Sequence, residues 1–131
     1  MHQPLENRPS AVTEAAEKIS AFCEGNRLSP TQSMAVSLSI EEMLLIITEH
    51  CFRPGEQATA DVRVYVLPDE VGIRIRNAGQ TFNPLEYYKE QGDADVFGEA
   101  LGLRMIETMA KKVIYQRTFG VNTLTISLGN R

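Results

Sequence analysis

Two cysteines, two histidines and no tryptophan occur in this chain of 131 residues. Cys23 and Cys51 are too few for a disulfide framework, and with His2 and His50 they cannot assemble a ligand cluster of zinc-site spacing. Both thiols are therefore expected to be reduced and to pack as small hydrophobes, and no metal site is expected from these residues. Positive charge is scarce as well. Lys+Arg number 13 against 17 Asp+Glu, a formal net charge of -4, which leaves no polybasic surface for a nucleic-acid backbone or an anionic membrane. The longest apolar run, Met43-Leu44-Leu45-Ile46-Ile47, falls far short of the ~20 residues that cross a bilayer, so no direct membrane insertion is expected. Met1-His2-Gln3-Pro4-Leu5-Glu6 has neither the cationic nor the apolar region of an export signal, which points to a cytoplasmic location. Repeats, low-complexity stretches and Gly/Ser linkers are missing too, so residues 1–131 read as one domain, on its own or cut from a longer chain. What is present is apolar material, 43% of residues, enough to fill one core.

The apolar positions recur with two periods. Ser10 is expected to cap a helix carrying Ala15, Ala16, Ile19 and Phe22 that stops at Gly25-Asn26. Ser29-Pro30 opens a second helix, on which Val36, Ile40, Met43, Leu44, Ile47 and Cys51 share a face, and which ends before Pro54-Gly55. Val62, Val64 and Val66 then alternate, Pro68-Asp69-Glu70 turns the chain, and Val71, Ile73 and Ile75 return it as an antiparallel hairpin. Residues 77–98, rich in Gly, Asn, Asp and Gln, read as a long loop of the length found in functional lids. Leu101, Met105, Ile106 and Met109 give a third amphipathic helix. A second hairpin follows, turning at Gly120, with Leu124, Ile126 and Leu128 alternating with Thr123, Thr125 and Ser127. The patterning predicts an α+β fold: a two-layer α/β sandwich whose mixed, mostly antiparallel sheet is covered on one face by three helices.

Three segments carry candidate chemistry. On the second helix, Glu42, Ile46 and Glu49 are expected to form a strip away from the core face. Glu42 there could orient or deprotonate a nucleophile, or be part of a solvated acidic face. In Asn77-Ala78-Gly79-Gln80-Thr81-Phe82-Asn83-Pro84, directly after a strand, Gly79 would let the backbone approach a flat ligand, and the Asn77 amide both donates and accepts, as reading an adenine edge requires. In Phe97-Gly98-Glu99-Ala100-Leu101-Gly102-Leu103-Arg104, glycines stand at the mouth of a helix whose free N–H groups favour phosphate, with Arg104 as a phosphate contact or an exposed helix charge.

In this order and between these elements, the segments resemble the ATP-binding family shared by histidine kinases, Hsp90-type chaperones and the bacterial anti-sigma-factor serine kinases, most closely the last. Glu42 and His50 match its helix motif; Gly79, Phe82 and Pro84 its strand-end motif; Gly98, Gly102 and Leu103 its Gly-rich turn; and Tyr115-Gln116-Arg117 with Asn122-Thr123-Leu124 its last two strands. The resemblance implies a histidine kinase-like ATPase fold, Glu42 as catalytic base, and ATP contacted from Ile46, Asn77, Gly79, Phe82, Gly98, Gly102, Leu103, Arg104 and Thr123. The departures point the other way. Ile46 stands where the family has the Asn that ligates Mg²⁺, and an alkyl group offers no oxygen to a hard cation. Asn77 replaces the Asp that accepts from adenine, Asn83 the Asp before Pro84, and Ala100 one glycine. ATP binding is thus expected to be weak or lost, with Mg²⁺ doubtful. The reading that follows is a regulatory domain that acts on a protein partner, such as a sigma factor, an anti-sigma antagonist or a neighbouring domain. A homodimer is compatible with it. The alternative is an active serine/threonine kinase, an anti-sigma factor phosphorylating its antagonist. Tyr87, Tyr88 and Phe97 in the lid are expected either to anchor the partner or to fold back over an empty pocket.

Overall fold

The structure, a computed structural model, describes residues 1–6, 8–53, 55–91 and 99–129. In chain order its elements are β1 (His2–Glu6), α1 (Pro9–Gly25), α2 (Pro30–His50), β2 (Thr59–Val66), β3 (Glu70–Asn77), α3 (Pro84–Gln91), α4 (Glu99–Met109), β4 (Ala110–Thr118) and β5 (Val121–Gly129). The sheet runs β1-β2-β3-β5-β4, and every pairing is antiparallel. The expectation of a mixed sheet is corrected: β2/β3 and β4/β5 are hairpins, and their inner strands β3 and β5 run antiparallel to each other.

Both expected hairpins form with the expected parity. Ala60, Val62, Val64, Val71, Ile73, Ile75, Leu124, Ile126 and Leu128 all point to one side and are buried there with Ile19, Val36, Ile40, Met43 and Ile106 of the helices. The tight β4–β5 turn places Phe119 at φ 51° and Gly120 at φ 77°, the paired left-handed conformations that such a hairpin needs to match strand twist.

The second helix starts as its sequence dictates. Ser29 Oγ accepts from the Gln32 amide and Gln32 Oε1 from the Ser29 amide, each at 3.1 Å, a reciprocal cap that satisfies two otherwise orphan donors. At α1 the cap position belongs to Arg8, not Ser10, because Pro9 takes the first helical position, where its fixed φ is already helical.

Two elements were not expected. β1 is a short edge strand whose Leu5 is buried against the core; its Pro4 breaks the strand pattern but is tolerated at an edge. α3 lies inside the stretch that reads as a loop. There Asn83 Oδ1 accepts from the Leu85 amide at 3.0 Å and the Glu86 amide at 3.4 Å, an N-cap followed by Pro84 at the first position. The helices therefore number four among the described residues, not three. None of them is long and apolar enough to cross a membrane.

Candidate functional site

The C-terminal half of α2, the turn after β3, α3 and the β4–β5 hairpin meet around one polar cluster. Its hub is Asn122, 3% exposed. Asn122 sits on the apolar side of β5, in step with Leu124, Ile126 and Leu128. Its amide must therefore find partners inside the protein. Asn122 Nδ2 donates to Gln80 O at 2.8 Å and Asn77 Oδ1 at 3.2 Å. Its Oδ1 accepts from Tyr115 Oη at 2.5 Å and Arg117 Nη1 at 3.0 Å. Arg117 Nη1 also donates to Gly79 O at 3.1 Å. Asn77 Oδ1 accepts a second bond, from the Gly79 amide, at 2.9 Å, so the oxygen expected to meet an adenine edge is already engaged twice.

Gly79 allows a close approach, but to protein. A Cβ placed there would stand 2.3 Å from the Cys51 carbonyl, and the neighbouring Gln80 amide donates to that same carbonyl at 2.8 Å. The turn is thereby fastened to the end of α2. Above it, the rings of His50 and Phe82 stack at 4.3 Å and 5°, with Tyr87 tilted against both at 4.8 and 5.4 Å. Beside Phe82 a cavity of about 20 Å³ remains, lined by Ile46, Cys51, Asn77, Phe82, Tyr115 and Asn122 among others. That is room for about one water, against the ~300–1,000 Å³ of ligand pockets.

The expected site residues are distributed unevenly around it. Ile46, Asn77 and Phe82 line the cavity, and Gly79 packs against two of its lining residues, Cys51 and Asn77. Ile46 does not lie on a strip away from the core: it is 2% exposed and belongs to the core, sharing its cavity with Phe82, Tyr115 and Asn122. Glu42 is half-buried on α2 and Glu49 exposed. Thr123 is not at the cavity. Strand alternation puts it on the other face of the sheet, beside Arg76 in a shallow groove. Arg104 is half-buried in the second turn of α4. Gly98 and Phe97 lie outside the described residues, as do the side chains of Tyr88 and Leu103; Gly102 lies within α4. Tyr87 takes the fold-back arrangement. The sequence reading did not single out Asn122, Tyr115, Arg117 and Cys51 as site residues, although an Asn on the apolar side of an alternating strand is the signal of a buried polar hub.

Burial pushes the Cys51 thiol above its ordinary value of 9.0, opposed by the Asn77 amide and the Arg117 charge. Burial likewise raises Tyr115 above 10.0, against the pull of Arg117, and Cys23 above 9.0. Each group keeps its proton in the folded state after the unfolded chain has released it, so stability is fully present below pH ~9 and is lost as pH rises through the folded values. Urea midpoints followed by circular dichroism should accordingly be flat from pH 7 to about 8.5 and fall above it; a midpoint unchanged at pH ~10.5 would contradict the burial of these groups.

The chain belongs to the family described as the histidine kinase-like ATPase domain, whose pattern matches residues 5–128. Among solved structures it is similar to a chain of the crystal structure of the SiaB–SiaC complex from Pseudomonas aeruginosa. The TM-score is 0.64 at 14% identity, over 98% of this chain and 88% of that one, a likeness of fold. No curated protein matches the sequence. Among the described residues, the cavity beside Asn77 has room for about one water, Ile46 presents carbon to it, and Asn77 Oδ1 is engaged by the Gly79 amide and Asn122.

Proposed function

We propose that the chain is a regulatory domain on the histidine kinase-like ATPase scaffold, of the anti-sigma type, that works by holding a protein partner, with nucleotide binding weakened or lost. The observation that supports this reading is the cavity beside Ile46, Asn77 and Phe82, which has room for about one water, with Asn77 Oδ1 engaged by the Gly79 amide and Asn122. The similar chain from Pseudomonas aeruginosa was crystallised as part of a protein–protein complex, which supports a partner-binding role. A protein captured by the purified domain should therefore remain unmodified when radiolabelled ATP and Mg²⁺ are added. Transfer of labelled phosphate to a serine of the captured protein would instead establish the kinase alternative, with Glu42 as the base.

A further inference from the structure

The outward face of α2 differs from an ordinary solvated helix surface. Met34 is 71% and Leu45 57% exposed, with half-buried Leu38 between them. At about 100° per residue these three lie within roughly 40° of one another, a ridge about 16 Å long. Glu41 borders the ridge on one side and Glu42 and Glu49 on the other, and the 21 residues of α2 include no Lys or Arg. At the N-terminal end of the ridge, exposed Met109 of α4 and Ala35 of α2 line a groove of about 440 Å³. Large exposed apolar side chains aligned on one helix face favour contact with a partner. Methionine suits such a surface because its unbranched thioether adapts to whatever packs on it.

Resting on the partner-binding reading above, we infer that the Met34–Leu38–Leu45 ridge and the adjoining Met109 groove form the docking surface for an amphipathic helix of the partner whose apolar stripe is flanked by Lys or Arg. Charge complementarity decides the occupant. Three carboxylates border the ridge and no Lys or Arg of α2 offsets them, so a second copy of the same face would meet like charge. A helix with basic flanks gains both the apolar contact and the opposite sign.

The test uses the whole domain and a fluorescent Leu/Lys amphipathic peptide of about 18 residues, with a Leu/Glu peptide of the same apolar pattern as control. Anisotropy should give micromolar binding of the Leu/Lys peptide that weakens as salt is raised, and no binding of the Leu/Glu peptide. The double variant Met34→Gln, Leu45→Gln should lose at least about tenfold in affinity while melting at the wild-type temperature, since both residues are exposed. Arg74→Gln, on the far face of the sheet, should bind like the wild type. Equal binding by the Met34/Leu45 variant, or binding of the Leu/Glu peptide, would overturn the assignment. Such a failure rejects this surface alone, because the partner-binding reading is judged separately by the phosphate-transfer assay.

Discussion

Asn122→Ala is expected to cost about 2–4 kcal/mol of stability and to lower the melting temperature by about 10 °C. The side chain is small and its volume loss minor; the effect comes from what it leaves behind. Gln80 O loses its donor, and Tyr115 Oη and one bond of Arg117 lose their shared acceptor. Gln80 and Arg117 are exposed and Tyr115 half-buried, so the cost is the sum of several lost hydrogen bonds, with part of the desolvation penalty added at Tyr115 and at Asn77, which is 7% exposed. The loss should show as a lower urea midpoint with an unchanged slope. A change below ~0.5 kcal/mol would mean that water replaces the amide and that the cluster does not hold the turn to α2.

Ile46→Asn should be the second severe substitution, at about 3 kcal/mol or more. It removes a side chain that is 2% exposed and inserts an amide whose polar atoms face a cavity with room for about one water. On residue types alone the change looks restorative, since it returns the oxygen ligand of the resembling family. In this fold the position belongs to the core, so the variant should unfold earlier and gain no Mg²⁺-dependent nucleotide binding of its own. Unaltered thermal stability together with tighter Mg²⁺-ATP binding would show that α2 rotates or shifts readily enough to open the pocket.

The contrast between Ile46 and Asn122 shows how far the sequence could be read. The periods of the hairpins and of α2 were legible because one face of each is apolar, and the family resemblance placed the segments of the site in order. The expectation for Ile46 fails because helical periodicity marks one core face, whereas Ile46 meets Phe82, Tyr115 and Asn122, which are distant in sequence. The resemblance implies a ligand contact at Thr123, whereas the alternation of Leu124, Ile126 and Leu128 puts Asn122 inside and Thr123 on the outer face of the sheet. A polar composition hides α3; the Asn83-Pro84 pair is its start signal, with Asn83 Oδ1 accepting from the Leu85 amide. The ring stack of His50, Phe82 and Tyr87 joins residues that are up to 37 positions apart, and no local pattern encodes that meeting.

Calorimetric titration of the purified domain with ATP, in the presence and absence of Mg²⁺, tests the central claim most directly. With a cavity that has room for about one water and Asn77 Oδ1 engaged within the protein, the expected result is no saturable binding, or a Kd weaker than about 1 mM, with no dependence on Mg²⁺. Saturable, Mg²⁺-dependent binding at submicromolar Kd would contradict it.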